Sequence, residues 1–592
     1  MILTKVYSNL DETFTPIRFN KGLNIIMGEM RNPENMDVDD HNLGKSKLAE
    51  LIDFCLLKGK SKTFFLFKHF DKFKKFTFFL EIEYKEGKYL TVKRSVNDST
   101  KISFLKHSNI WQDFVSLPED KWTHISLPFD KAKQTLDSYL DLEVINPWDY
   151  RMPVSYALRS QGDYKDVFQL RKFVRHINWK PYVAQLLGLD SALVTKQYEL
   201  KAEYDIADST VKRLQNELKD FTGSLDKLEG LILLKEDESG KLSEQLNNFD
   251  FQLADSQVNK KLVSKIDTQL SSLNKERYYV SSNIENIEVS LNKHKIMFNP
   301  KEAEELFLEA GILFKGQIKK TYDDLIVFNK EITAERRSYL KDELQTLKKQ
   351  LQEIETKISR LNSERSQALY FLKDSSAIDK YKTLSNKLIK LEAETLNLKN
   401  QEQRLIEHND AKSGKSRINS EIESNKTRIA NNVKSTKAKD SKYSQIKLHF
   451  NSIIKNILDK EALISIEQNN EGNLEFKDEI LDQSGNETSE NDGNTYKKVL
   501  CIAFDIAINQ IYANDKYSHF IYHDGFLETL DSRKKYKFVE LLRDVNQNNF
   551  QYIGTLIDSE IPNQDKNFFK ANEVVLTLHD GENGTLFKGI NF

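Results

Sequence analysis

The middle of this 592-residue chain repeats apolar residues at alternating spacings of three and four, a pattern that suits helices packed lengthwise against helices and little else. Val211, Leu214, Leu218, Phe221, Leu225 and Leu228 begin the seam, and Ile266, Leu270, Leu273, Val280, Ile284, Ile287 and Leu291 continue it, with charged residues between. Residues 191–293 therefore read as a first coiled-coil arm. The period resumes at Leu340, Leu344, Leu347, Leu351, Ile354, Ile358 and Leu361 and again at Leu384, Leu388, Leu391, Leu398 and Leu405, which gives a second arm over 331–445. Between them, residues 294–330 carry Asn299-Pro300, Gly311 and Gly316, where a helix stops and the chain can turn back as an apex or hinge. The arms are expected to pair antiparallel within one chain and to reach on the order of 150 Å at about 1.5 Å per residue. A single rod pairing with a second chain is the alternative. The hairpin is favoured because residues 1–190 and 446–592 look like two halves of one globular head.

Composition excludes several classes. With 88 Lys+Arg against 90 Asp+Glu the chain has no global attraction for polyanions, so nucleic-acid binding must come from local patches. Cys55 and Cys501 stand far apart without CxxC or Cys/His spacing, which supports neither a disulfide framework nor a structural zinc site and fits a reducing, cytoplasmic setting. No apolar stretch of about 20 residues and no signal-like start occurs, so no membrane association is expected. The best basic patch is Lys58–Phe79, where Lys58, Lys60, Lys62, Lys68, Lys72, Lys74 and Lys75 interleave with Phe64, Phe65, Phe67, Phe70, Phe73 and Phe76. Stacking on a nucleic acid is one use of such a pattern. Phenylalanines buried under a solvated lysine face is the stronger reading.

Each end of the chain carries half of a phosphate site. Ile2–Tyr7, Ile17–Phe19 and Leu23–Met27 read as strands, the last running into Gly28; Asn42-Leu43-Gly44-Lys45-Ser46 then opens a helix through Leu48, Leu51, Ile52 and Leu56. A strand, a Gly-Lys-Ser loop and a helix make a P-loop, in which Lys45 reaches phosphate and Ser46 holds Mg²⁺. The motif's first glycine is displaced: Asp39 stands where it belongs, and Gly28 replaces it with about eleven extra residues inserted within 29–41. A second Gly414-Lys415-Ser416 lies in the second arm with no strand before it and reads as solvated helix. Thr77–Tyr84 and Tyr89–Val96 read as a hairpin. Near the other terminus, strands Leu463–Ile466 and Leu474–Phe476 precede a polar loop over 483–494 and a helix Tyr496–Ile511. A buried strand His519–His523 follows, ending at Asp524, where an acidic residue completes a P-loop magnesium site. Strands Gln551–Leu556, Val574–Leu578 and Thr585–Phe587 close the head.

Taken in order, these features resemble the ABC-type head ATPases of the SMC/RecN class over the whole chain. Phe19–Gly28 is similar to the strand entering that family's Walker A motif, Gln161 to its Q-loop, Asp492-Gly493-Asn494 to a worn signature motif and Leu530-Asp531 to its D-loop. More closely, Leu43-Gly44-Lys45-Ser46 and His523-Asp524-Gly525 resemble uncharacterised SMC-like proteins encoded with bacterial antiphage modules of the ABC three-component or Lamassu kind. The resemblance implies an α/β ABC-type P-loop head formed from both chain ends, with a long antiparallel coiled-coil arm inserted. It implies ATP and Mg²⁺ as ligands: Asn42, Leu43, Gly44, Lys45, Ser46 and Lys47 around the phosphates, Gly493 of a second copy against the γ-phosphate, and Ser46, Gln161 and Asp524 on the metal. It implies a homodimer through the heads, double-stranded DNA, a nuclease-like effector and an accessory subunit of a defence operon. The chain departs from the family where the general-base glutamate belongs, which is Gly525, and where a switch histidine belongs after Gln551–Leu556, where only Asp558 follows. Hydrolysis is therefore expected to be slow or to use Glu528 or His523, although Glu528 reads equally as a structural carboxylate at a helix start and His523, ending a buried strand, more readily as a hydrogen-bonded core histidine. The resulting expectation is an ATP-gated, DNA-sensing subunit of a defence complex, with a RecN-like repair ATPase or a scaffold with a degenerate nucleotide fold as alternatives.

Overall fold

The computed structural model describes residues 1–31, 43–170, 175–218, 223–249, 256–292, 316–370, 375–482, 484–488, 493–545 and 550–590. They form two compact units, one made of Met1–Tyr204 with Arg417–Phe592 and one of Asp205–Ser416. The first unit thus takes in more of both flanking helices than the composition change at 190 and 446 suggests.

The first unit contains two large sheets. Strands β1 (Ile2–Ser8), β2 (Ile17–Arg18), β4 (Thr77–Lys85), β5 (Lys88–Ser95), β6 (Lys101–His107) and β7 (His124–Pro128) form an antiparallel sheet in the order β2-β1-β4-β5-β6-β7. Strands β3 (Leu23–Glu29), β8 (Leu158–Arg159), β11 (Phe520–His523), β12 (Gln551–Ile557) and β13 (Val574–His579) form a parallel sheet in the order β13-β3-β12-β11-β8. A hairpin of β9 (Glu461–Gln468) and β10 (Leu474–Leu481) stands apart from both. The parallel strands are apolar on both faces, as the interior of such a sheet requires: every residue of β11 is buried, and so are Gln551–Leu556 of β12. Strand β3 from the N-terminal portion lies between β12 and β13 from the C-terminal portion, in a register that pairs Leu23 with Tyr552 and Gly28 with Ile557. Gln551 locks the ends together, accepting from Leu3 N at 3.0 Å and donating to Leu3 O at 2.8 Å.

One expectation changes here, and the burial reading of the Lys58–Phe79 patch stands. Thr585–Phe587 is not a strand; its residues turn back so that Leu586 N donates to Leu43 O at 3.0 Å and Phe587 packs among Phe14, Phe65, Phe73 and Phe76. The Lys58–Phe79 patch folds as two short helices, Phe65–Lys68 and Phe70–Phe73, leading into β4, with Phe64, Phe65, Phe73 and Phe76 buried. A ring of that size gains more from core burial than from exposure for stacking. Its lysines turn to local partners, Lys58 to Asp53 at 2.6 Å and Lys74 to Asp71 at 3.0 Å.

The second unit is helical, and its ion pairs fix the helix directions. Asp267 meets Arg365 and Glu288 meets Lys348, so the helices Ser256–Asn292 and Gly316–Tyr370 run antiparallel. Glu238 meets Lys387 and Lys235 meets Glu394, so Leu225–Asn247 runs antiparallel to Ser375–Thr436. Asp267 also meets Tyr381 and Lys275 meets Glu392, so Ser256–Asn292 runs parallel to Ser375–Thr436. Leu225–Asn247 and Ser256–Asn292 therefore run in opposite directions, and the stretch expected as the first coiled-coil arm over 191–293 reverses between Asn247 and Ser256. Near the reversal, Leu246, Phe249, Val263, Ala368, Leu369 and Tyr381 share a cluster. Heptad residues Ile266, Leu270, Val280, Ile284, Ile354 and Ile358 form the inner core. The second Gly-Lys-Ser triplet is helical, as its sequence context suggests: Gly414 lies within Ser375–Thr436 and Lys415 Nζ reaches Asp208 at 2.5 Å. Residues 293–315, which hold most of the expected apex with Asn299-Pro300 and Gly311, lie outside the described residues.

Candidate nucleotide site

Because all five strands of the second sheet are parallel, the carboxyl ends of β3, β8, β11 and β12 share one edge, the edge at which open α/β sheets bind ligands. Gly44 lies immediately before the helix Lys45–Cys55 with φ 98°, a left-handed conformation that glycine adopts without strain. A Cβ there would stand 2.7 Å from Leu586 Cβ. The helix N-terminus presents free N–H groups and the positive end of its dipole, an anion site by construction. Lys45 folds back over the end of β3, and its Nζ lies 3.2 Å from where a Cβ on Gly28 would stand, so a glycine at 28 leaves the room the ammonium uses.

The hydroxyl of Ser46 donates to Asp524 Oδ2 at 2.5 Å, joining residues 478 apart in sequence. Asp524 is 2% exposed, and its other oxygen accepts from Thr555 Oγ1 at 2.5 Å. Gly525 N in turn donates to Thr555 Oγ1 at 2.9 Å, and Asp524 N donates to Arg159 O at 3.1 Å. The carboxylate is thus aimed by two neighbouring strands at the loop serine. Among the described residues no group of three or more His, Cys, Asp or Glu converges as a metal site. The Ser46–Asp524 pair suits a different ion, magnesium, which takes few protein oxygens and fills its remaining positions with phosphate and water.

Beside it lies a second polar cluster. Gln161 Nε2 donates to Glu528 Oε1 at 2.7 Å, and Lys498 Nζ donates to Glu528 Oε2 at 2.7 Å and to Gly525 O at 2.8 Å. Gly525 has φ 65°, and a Cβ on it would stand 2.5 Å from Glu528 Oε1. The Glu528 carboxylate therefore occupies the space that a side chain at 525 would enter. Glu528 does not start a helix, as the sequence suggested; it sits in the turn after β11, and the next helix begins at Ser532.

The expectation for His523 is corrected. It is fully buried, with Nδ1 3.1 Å from Tyr552 Oη and Nε2 3.1 Å from Asp505 Oδ2, and burial pushes its pKa down. Asp505 also holds the buried Arg159, at 2.5 Å from Nε and 3.1 Å from Nη2. With both ring nitrogens committed inside the core, His523 organises the end of β11. Gln161 is turned toward Glu528 rather than toward the Ser46–Asp524 pair. Lys47 Nζ bonds Glu50 at 2.6 Å, leaving the backbone as the part of Lys47 that faces the loop. Leu43 is buried, Gly493 caps the helix Asn494–Ile511, and Asn42, Asp492 and residues 32–41 of the insertion lie outside the described residues. Thr555 and Lys498 escaped the sequence reading. Each left a faint signal, a polar residue near the end of a largely apolar strand and a lysine leading into the apolar run of a helix.

A family model described as an uncharacterised protein conserved in bacteria (DUF2326) matches residues 453–590, the segment that carries Lys498, Asp524, Glu528 and Thr555. No curated protein matches the chain. Solved structures similar to it include a Smc head domain with a coiled coil and joint from Pyrococcus yayanosii, at 14% identity over 95% of this chain and 94% of that one with a TM-score of 0.34. A Smc head with an extended coiled coil bound to the C-terminal domain of ScpA, from Pyrococcus furiosus, matches at 11% identity, 95% and 91% coverage and a TM-score of 0.29. A SmcHead bound to the C-winged helix domain of ScpA matches at 10% identity, 95% and 92% coverage and a TM-score of 0.32. At TM-scores this low, none of these likenesses bears on the functional reading, which rests on the site itself.

Proposed function

We propose that the first unit binds a magnesium nucleoside triphosphate, ATP, at the edge shared by β3, β8, β11 and β12. The observation that carries this reading is the 2.5 Å hydrogen bond between Ser46 and Asp524, a loop hydroxyl and a strand-end carboxylate from opposite ends of the chain, beside a lysine folded over a strand-end glycine. Lys45 neutralises phosphate, the helix N-terminus receives it, and Ser46 and Asp524 hold the ion. The metal, when bound, draws charge from the phosphate oxygens. Titration of the purified chain with a fluorescent ATP analogue tests this: Lys45→Ala and Asp524→Asn are expected to lose binding, and full binding by Lys45→Ala sinks the assignment.

The finer reading is an SMC-like subunit of a bacterial antiphage complex, in which bound ATP brings two heads together and the arm reports the head state to DNA and to an effector. Its support is the resemblance carried by Leu43–Ser46 and His523–Gly525. ATP-dependent dimerisation, lost in Gly493→Arg, and phage protection lost in Lys45→Ala are its tests. A second reading, a RecN-like ATPase with steady turnover, is favoured by the Glu528 carboxylate standing beside Gly525. Turnover near about 1 s⁻¹ or faster, in the ordinary enzyme range, selects that alternative.

A further inference from the structure

Thr555 lies on β12, the central strand of the parallel sheet, one place beyond the pairing of Gly554 with His523, so it stands opposite Asp524, the first residue past β11. It is 1% exposed, and both capacities of its hydroxyl are in use. The oxygen accepts from Gly525 N at 2.9 Å, and its single proton goes to Asp524 Oδ1 at 2.5 Å, since a carboxylate offers only acceptors. The same turn is seated on β12 a second time: a Cβ on Gly554 would stand 2.6 Å from Phe526 Cε1, so the bare glycine leaves the room that the ring fills. Lys498 Nζ holds Gly525 O at 2.8 Å. Gly525, at φ 65°, thus has both of its peptide groups in buried hydrogen bonds to side chains of neighbouring elements.

This arrangement decides which oxygen Asp524 presents. The terminal torsion of an aspartate is broad and roughly two-fold, so an untethered carboxylate swings and offers either oxygen. With Oδ1 tied to Thr555, Oδ2 is the oxygen left facing Ser46, 2.5 Å from its hydroxyl. A β-branched side chain suits the task, because two heavy atoms on Cβ stiffen its first torsion and hold the hydroxyl in place. Magnesium demands near-ideal octahedral geometry, whereas calcium accepts irregular sites. A carboxylate fixed by a buried hydroxyl therefore favours the smaller ion.

We propose that Thr555 is a positioning residue of this site: it touches neither nucleotide nor ion, and by holding Asp524 Oδ1 it sets the affinity and the choice of divalent cation at Ser46 and Asp524. The inference rests on the nucleotide-binding reading above. Neighbours that orient a metal ligand in this way typically change metal affinity about 10–100-fold when removed.

The test measures binding of a fluorescent ATP analogue to the full chain, in EDTA and across titrations of Mg²⁺ and of Ca²⁺. In Thr555→Val, which keeps the branch and removes the hydroxyl, the Mg²⁺ midpoint is expected to rise about 10–100-fold and the Ca²⁺ midpoint to rise less, with affinity in EDTA unchanged. Thr555→Ala, whose smaller side chain lets water reach the Gly525 amide, should show the same loss and serves if the valine variant does not fold. Thr555→Ser restores the hydroxyl and should lie closer to the wild type than to Thr555→Val. Unmoved Mg²⁺ midpoints in the valine and alanine variants, equal losses for the two ions, no rescue by serine, or a parallel loss of binding in EDTA would each overturn the proposal and leave nucleotide binding standing. A wild type that binds no nucleotide at any Mg²⁺ concentration overturns the underlying reading and this inference with it.

Discussion

Arg159 and Asp505 show how much of the site depends on groups that touch no ligand. Arg159 is fully buried and bonds Asp505 through two nitrogens, while its remaining N–H groups donate to the carbonyls of Asp163, Asp166 and Val167. Removing one partner of a buried pair strands the other charge. Arg159→Met is accordingly expected to cost about 3–5 kcal/mol in chemical denaturation, and Arg159→Met with Asp505→Leu to recover part of it. Gly525 supports a second prediction. A glutamate there forces a side chain into the space held by Glu528, at a φ that suits glycine, so Gly525→Glu should lower the thermal midpoint and, on the proposed function, any ATPase rate. A gain in turnover would show that Glu528 does not fill that space in solution. The residues legible in the sequence were those that obey a spacing, Gly44-Lys45-Ser46 and the strand-end Asp524. Thr555 and Lys498 obey none: only the fold brings them to Asp524 and Glu528.

At the scale of elements, several strands were legible as apolar runs bounded by polar residues, as in β3, β11 and β12, whereas β6 and β7 went unread. The short segment Thr585–Phe587 has that look and is not a strand, because its apolar side chains are drawn into the phenylalanine cluster rather than into a ladder. The helical reversal was hidden for another reason. Heptad spacing reports which face is buried and not which way the helix runs, and the turn at Asn247-Asn248 carries neither Pro nor Gly. Leu233 and Tyr279 are both exposed and lie near Lys235 and Lys275, whose partners Glu394 and Glu392 neighbour each other on one helix. Spin labels at 233 and 279 should therefore report a separation below about 30 Å, against about 70 Å for one unbroken helix at 1.5 Å per residue. Within the inner core, Leu270→Ala is expected to cost about 2–5 kcal/mol, measured by urea unfolding followed by far-ultraviolet circular dichroism.

For the whole molecule, the decisive feature is that one parallel sheet takes β3 from the first portion of the chain and its neighbours β12 and β13 from the last. At synthesis rates of about 5–20 residues per second, Asp524 leaves the ribosome roughly 25 to 100 s after Ser46. Throughout that interval β3 has neither neighbour, and its two bare edges of backbone N–H and C=O groups are open to mispairing. The helical segment between has ample time to fold on itself, since helix formation takes microseconds. A nascent chain stalled before residue 551 should thus carry a folded helical unit and no nucleotide affinity, whatever its P-loop sequence, and cells that make this protein need something to shield β3 until the last strands arrive.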